Sequence, residues 1–345
     1  MTLAARRIAL SGALLLLATP VLRAGAQRSS GEPWRIDPLP QASLVFANDG
    51  TLVGEIGTEL RTSISIRTLP KYVGQAFVAV EDQRFYQHNG VDLIGIAGAI
   101  KDDIMGDRRG ASTITQQLVG NMHPDIINRN DRSLERKLRE QQAAREMEKH
   151  YSKEQILEGY LNVISFGHGY YGIESAAQHY FGKSASRLTL PEAATLAAMP
   201  KAPAIYDPVL HAARTVERRN TVLALMLQQH YITQSEFNSA RSAPLVTAPD
   251  WGMPAPAQYF VDVVRIQATR AGIPVMSGGY RIYTSIDPLL QTAATDALRD
   301  EANAIEARPG YAHPTIASGK DYLQGAVVAL DPNTGDVRAL VGGRD

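Results

Sequence analysis

Two carboxylates, Glu81 and Asp82, stand side by side at the head of the stretch EDQRFYQHNG. Further on, GASTITQQ gathers a serine, two threonines and two glutamines between Ser112 and Gln117. A carboxylate at the edge of a core is partly desolvated. Its pKa then rises toward the value at which it can take a proton from a sugar hydroxyl. Hydroxyl and amide side chains are suited to holding the ring. A third block, residues 129–149, carries Arg132, Arg136 and Arg139 at helical spacing, with Lys137 beside them and Glu140 one turn on. Cations outnumber acids over its first half. Such a cluster suits a diphosphate, Arg through forked hydrogen bonds and Lys through a compact charge, and Glu140 is placed to bring in a divalent metal. Each block also has a plain structural alternative. Glu81 or Asp82 can pair with Arg84, Thr113 and Gln116 can cap a helix, and the cationic run can be a solvated face laced with i,i+4 pairs.

The elements that must position these residues are mainly helical from Val73 to about Ala240. Val73, Ala76, Phe77 and Val80 repeat at three- and four-residue spacing and deliver Glu81 and Asp82 at the end of an apolar face. Gly110-Ala111 is a turn signal, and Thr113 to Gln116 has capping-box spacing, so a helix begins near Ser112 or Thr113. Helix starts expose unpaired N–H groups that suit phosphate or polar ligands. Ile156, Leu157, Tyr160 and Leu161 form another apolar face, and Leu190 to Met199 a further one. Tyr160, Tyr180 and Phe181 are assigned to packing. His168 and His179 lack metal-ligand spacing, and no HExxH occurs.

Composition sets the outer bounds. Lys+Arg and Asp+Glu are both 35, so net charge points to no nucleic-acid partner. Hydrophobic content of 44% is that of a globular protein, and the absence of cysteine removes disulfides and thiolate metal sites. Arg6 and Arg7 precede the apolar run Ile8 to Leu22, and Ala24-Gly25-Ala26 resembles a cleavage site. Residues 1–26 are thus a cleaved export signal or a short signal anchor, and both send the remainder across a membrane. Residues 27–69 read as a linker followed by a β-hairpin. Alternation runs from Ser43 through Ile64 and Ile66, with a turn at Asn48-Asp49-Gly50.

The blocks EDQRFYQHNG, GASTITQQ, RKLRE, KEQILEGYLN and ERRNTVL, in this order, resemble the five motifs of the peptidoglycan glycosyltransferase domain of class A penicillin-binding proteins. The resemblance covers about Pro70 to Leu227. It implies an α+β, mainly α, fold: a lysozyme-like glycosyltransferase domain at 70–240, with a membrane-touching subdomain near Asp92 to Gly106. There Leu93, Ile94, Ile96, Ile100, Ile104 and Met105 offer an apolar face. It implies polymerisation of lipid II into glycan strands with release of undecaprenyl diphosphate. Glu81 would be the general base. Glu140 would assist the leaving group together with Arg136, Lys137 and a divalent cation, magnesium or manganese, bound at Glu140. Asp82, Phe85, His88, Ser112, Thr113, Gln116, Gln117, Asn162 and Arg218 would shape the substrate cleft. Partners implied are lipid II, the growing strand, the bacterial inner membrane with the domain on its periplasmic side, and other cell-wall synthesis proteins. Two positions depart from the family pattern: Gly120 stands where Lys is usual, and Ser165 where Tyr is usual.

After Ala240 the chain changes character. Residues 241–280 form a Pro-rich linker followed by a helix over Tyr259 to Arg270. Within 281–345, RIYTSID and GAVVALDPNTGDVRALVGG read as strands, the latter as a hairpin. The same family resemblance makes 281–345 the incomplete start of a transpeptidase domain, poorly folded because a hairpin without its sheet is marginal. The Ser-x-x-Lys and Lys-Thr-Gly elements of acyl-transfer chemistry do not occur in this sequence, so no transpeptidase activity is expected from it. Two rival functions remain open, a lysozyme-like glycoside hydrolase and a catalytically silent membrane-anchored scaffold.

Overall fold

A computed structural model describes residues 7–10, 14–19, 31–104, 112–128, 131–248 and 257–344. Ala24-Gly25-Ala26, Met105, Gly106, Gly110-Ala111, Arg129 and the Pro-rich end of the linker fall outside those residues. The chain divides into two compact units. One comprises 26–39 and 59–251, the other 1–25, 40–58 and 252–345.

The first unit is mainly helical. Its helices are α1 (Lys71–Glu81), α2 (Leu93–Ile104), α3 (Ile114–Met122), α4 (Leu134–His150), α5 (Lys153–Val163), α6 (Ile173–Phe181), α7 (Leu190–Ala198), α8 (Ala212–Gln228) and α9 (Gln234–Ser242). Phe77 of α1, Ile114 and Leu118 of α3, Met147 of α4, Tyr160 of α5 and Met226 of α8 are completely buried in one core. The apolar spacing read from α1 is the reason: Val73, Ala76 and Phe77 all face inward and are fully buried. Helices α3, α5 and α9 begin on a reciprocal capping box, at Thr113, Ser152 and Thr233. Residues 31–39 lie on this unit. Trp34 stacks on His150 with ring centroids 4.2 Å apart, and the Ile36 N–H donates to the Tyr151 hydroxyl at 3.2 Å. The polar segment read as linker is therefore packed here.

The second unit carries a sheet of strands β3 (Ser43–Phe46), β4 (Leu52–Ile56) and β7 (Arg281–Tyr283), together with β1 (Arg7–Leu10) and β2 (Leu14–Thr19), in the order β1-β2-β7-β3-β4. The β3–β4 hairpin turns at Gly50 (φ 85°), in the left-handed region that glycine tolerates. Among the described residues no helix is long and apolar enough to cross a membrane. Phe260 and Val264 of α10 (Gln258–Arg270) pack with Val45, Ile56, Ile282 and Ile286 into a second core.

Two sequence expectations are corrected. Strand alternation does not continue to Ile64 and Ile66: beyond the hairpin only β5 (Leu60–Arg61) is extended, pairing in parallel with β6 (Tyr170–Tyr171). The reason is a side chain. The Asn162 amide donates to the Ile64 carbonyl and accepts its N–H, both at 2.9 Å, satisfying the backbone without a neighbouring strand. Nor is the terminal hairpin, β8 (Val327–Leu330) and β9 (Val337–Val341), left without support. Helix α11 (Pro288–Glu306) packs on it, and the Gln291 amide pairs with the Leu340 backbone at 2.8 and 3.0 Å.

Gly90 stands where the loop after α1 crosses α4. It has φ 83°, and a Cβ there would meet the Ala144 carbonyl oxygen of α4 at 2.5 Å, while its own carbonyl accepts from the Thr113 hydroxyl at 2.7 Å. Gly90→Ala is expected to destabilise the protein by ~1–3 kcal/mol in denaturant unfolding, through strain and forced separation of the loop from α4.

Candidate active site

Helix α1 ends at Glu81, and Asp82 is its C-terminal cap. Glu81 is partly buried, and its Oε2 accepts from Gln117 Nε2 of α3 at 2.7 Å. Its carboxyl is held above the ordinary carboxylate range, chiefly because burial removes water from the charged form. The Gln117 bond and the positive fields of Arg218 and Lys201 act downward, and the adjacent Asp82 acts upward. The amide of Gln117 is itself oriented, since the hydroxyl of the fully buried Tyr160 lies 3.5 Å from its oxygen.

The third block comes to the opposite end of the same short segment. Lys137 Nζ of α4 donates to Ser112 Oγ at 2.9 Å and to Glu140 Oε1 at 2.5 Å, and Arg136 donates to the other Glu140 oxygen. Glu140 is 5% exposed, and Arg136 keeps a buried Nε with no partner. From Thr113 to Gln117 a helix advances about 6 Å. The Glu81 contact is made to the fourth residue of α3 and the Lys137 contact to Ser112, just before its N-cap.

Several residues expected in the cleft are turned inward. Phe85 is fully buried, with the Lys153 ammonium 4.4 Å from its ring centroid, so it shapes the site only from behind. Asp82 accepts from the Ile114 N–H at 3.0 Å and from His88 Nε2 at 2.9 Å, and both side chains are nearly buried. Thr113 and Gln116 are the capping box of α3: the Thr113 N–H donates to Gln116 Oε1 at 3.0 Å, and the Gln116 N–H to Thr113 Oγ1 at 3.2 Å. Asn162, with both polar functions on the Ile64 backbone, is a clamp rather than a substrate contact. Ser112, Gln117, Arg136, Lys137 and Arg218 retain partial exposure, and Arg218 lies 5.9 Å over the Tyr206 ring with its Nε unpartnered.

This arrangement corrects the expectation that the start of α3 offers free N–H groups to an anion. Its Thr113, Ile114 and Gln116 N–H groups are met by Gln116, Asp82 and Thr113, so an anion here is left to the cationic side chains of α4. The magnesium or manganese expected at Glu140 meets a similar obstacle. Both Glu140 oxygens face cations, and among the described residues no group of three His, Cys, Asp or Glu is placed to hold an ion. The residues present do not fit a resident divalent cation. Of the apolar face expected at 92–106, Leu93 and Ile94 are 66% and 73% exposed.

Sequence reasoning missed four contributors. Lys201 follows α7 and acts on Glu81 through its charge. Tyr160, assigned to packing, also reaches Gln117. Lys153 and Glu148 form an ion pair at 2.7 Å across the break between α4 and α5, and Glu148 accepts from the Thr115 hydroxyl at 2.6 Å. Only Tyr160 had a signal, its spacing on α5 one face from the core.

The raised pKa of Glu81 has a stability consequence. A carboxyl whose folded pKa exceeds its unfolded value binds a proton more readily when folded, so its stabilising share is present at low pH and is lost as pH rises through the folded pKa. Glu81→Gln is therefore expected to gain stability relative to the unsubstituted protein at pH 7.5, with the difference shrinking toward pH 4. Melting temperatures across that range check it.

Comparison with known proteins gives the family. The transglycosylase family model matches residues 49–227. The chain is 37% identical over 315 residues to penicillin-binding protein 1F of Bacillus subtilis, covering 89% of this chain and 42% of that protein. It is 40% identical over 296 residues to penicillin-binding protein 1A of Aquifex aeolicus, covering 85% and 40%. To penicillin-binding protein 1A of Escherichia coli it is 39% identical over 276 residues, covering 78% and 32%. The chain thus spans 42% or less of the length of each of these relatives. With the family model spanning the helices that carry Glu81, Gln117, Glu140 and Arg218, this chain belongs to the transglycosylase family and bears the glycosyltransferase domain of class A penicillin-binding proteins.

Proposed function

We propose that this protein polymerises lipid II into peptidoglycan glycan strands at the periplasmic face of the bacterial inner membrane. Glu81 takes the proton of the acceptor sugar hydroxyl as that oxygen attacks the anomeric carbon of the donor. The bond from that carbon to the diphosphate breaks, and undecaprenyl diphosphate leaves with the bonding electrons. Arg136 and Lys137 stabilise the charge that gathers on the departing diphosphate, and Glu140 holds the two cations in place.

The observation that carries this reading is the pairing on α3. A desolvated carboxylate meets Gln117 of that helix, while Lys137 meets Ser112 just before its N-cap and the neighbouring Arg136 keeps a buried guanidinium nitrogen with no partner. An orphaned buried N–H is costly unless a ligand completes it, and a phosphate oxygen is the partner that Arg geometry suits. The hydrolase alternative needs a second carboxyl group that faces the sugar as an acid. Glu140 faces Arg136 and Lys137 instead, and Asp82 faces His88 and the Ile114 N–H.

Membrane contact is assigned to the first turn of α2, where exposed Leu93 and Ile94 are suited to the interfacial zone in which a lipid-linked substrate resides. A doubly substituted Leu93→Ser, Ile94→Ser protein is expected to lose about tenfold or more in sedimentation with phospholipid vesicles, while its circular dichroism is retained.

Incubation with lipid-linked disaccharide is expected to give polymer, and incubation with finished glycan no fragments. Fragments without polymer would establish the hydrolase instead. Glu81→Gln is expected to lower the polymerisation rate ~10²–10⁴-fold, and a variant that polymerises at the original rate removes Glu81 as base.

A further inference from the structure

The loop between α5 and α6 and the loop between α7 and α8 are joined by an ion pair that the proposed reaction does not use. His168 Nε2 lies 2.7 Å from Asp207 Oδ2, and the Asp207 carboxylate is 2% exposed while the imidazole is 50% exposed. The other Asp207 carboxylate oxygen accepts from the Val209 and Leu210 N–H groups, both at 2.8 Å. Its backbone carbonyl accepts from the N–H of His211, the N-cap of α8, at 2.8 Å and from the hydroxyl of the fully buried Thr215 at 3.0 Å. Asp207 therefore ties down the start of α8, where negative charge suits the positive end of the helix dipole.

The imidazole comes from a loop that is itself fixed. Phe166 is fully buried, edge to face with Phe77 of α1, and its carbonyl accepts from the Tyr180 hydroxyl of α6 at 2.9 Å. Two residues on, His168 has φ 51°, a left-handed backbone that a non-glycine residue adopts at a cost. Such strain persists where the surrounding structure holds it, and it clusters at functional sites. Here it aims the ring at Asp207.

Beyond Asp207 stand two cations of the site. Tyr206, the preceding residue, has the Arg218 guanidinium 5.9 Å over its ring, and Arg218 lies one turn along α8 from Thr215. Lys201 stands at the start of the same loop, after α7. We propose that Asp207 and His168 are positioning residues: their ion pair holds the α7–α8 loop and the start of α8, and so sets Arg218 and Lys201 against the base without touching the substrate. The proposal rests on the reading of Glu81 as the base.

The groups facing the pair are His179 of α6, its ring centroid 5.9 Å from that of His168, Tyr170 of β6, stacked on His179 at 4.0 Å, and Tyr180, which the Asp207 charge reaches. Those facing Glu81 are Gln117, Arg218, Lys201 and Asp82. Burial pushes the Glu81 carboxyl up, and Gln117, Arg218 and Lys201 oppose it. A loosened loop weakens the two cationic fields, so Glu81 stays protonated, and unable to act as base, to a higher pH.

The test measures polymerisation of lipid-linked disaccharide against pH with the full chain, as kcat and KM separately, for the unsubstituted protein, His168→Asn and His168→Gln. Thermal unfolding is followed for each. Asn tolerates the left-handed backbone and falls short of Asp207, so it removes the bond while keeping the turn. It is expected to lose about tenfold in kcat near neutral pH, a part of the ~10²-fold that misplacing a group by about 1 Å costs, and to move the acid limb of the rate profile to higher pH. Gln places an amide donor where Nε2 stands and is expected to restore both. Unaltered kcat and acid limb in His168→Asn overturn the proposal. So does a raised KM with the acid limb unmoved, which would mean that His168 meets the substrate directly. Absence of polymer from the unsubstituted protein, or full activity in Glu81→Gln, shows instead that the base was misassigned, and the proposal falls with it.

Discussion

The bond from the Ile114 N–H to the Asp82 carboxylate joins the end of α1 to the start of α3, and the geometry around Glu81 depends on that junction. A helix start has backbone donors that its own hydrogen bonds leave over. Here they are met from within the protein, by a capping box and by a carboxylate from another helix. The segment from Ser112 to Gln117 is thereby a fixed reference to which Glu81, Lys137 and Glu148 are attached through side chains. Because the Thr113, Ile114 and Gln116 N–H groups are already used, binding of a negatively charged group falls mainly to Arg136 and Lys137. These are side chains that can move toward a ligand.

Glu81 illustrates a conflict between stability and reactivity. Its removal from water raises its pKa, a penalty for the folded state at neutral pH, and the hydrogen bond from the Gln117 amide with the fields of Arg218 and Lys201 offsets it only in part. Perturbed carboxyls of this kind are concentrated at functional sites because the folded state must be stable enough elsewhere to hold them. The completely buried Phe77 and Phe166, with their rings edge to face and centroids 6.2 Å apart, are part of that support.

Side-chain amides do a related task in each unit. Asn162 closes the Ile64 backbone in the helical unit, and Gln291 closes the Leu340 backbone in the other. Both bonds join residues far apart in sequence. Asn162 looked like a cleft residue from its motif, and Gln291 carried no signal at all. A terminal amide matches the donor and acceptor of one backbone residue, so it can stand in for a strand where none is adjacent. That is why the extended region ended earlier than alternation implied and why the last hairpin is supported.

Apolar periodicity and capping chemistry are local, since they depend on residues within one or two turns, and they sufficed for the helices. The face of α1 leading to Glu81, the start of α3 at Thr113 and the cationic stripe of α4 were all legible in the residues themselves. The ordered blocks were enough to indicate the family. What the linear order could not supply was direction: whether Asp82, His88, Phe85 and Asn162 turn toward a ligand or toward their own protein. That choice depends on partners such as Ile114, Lys153 and Ile64, which reach them only after the helices pack. A hydrogen bond acts over about 3 Å, so which polar atoms are satisfied, and which remain for substrate, was decided by tertiary structure alone.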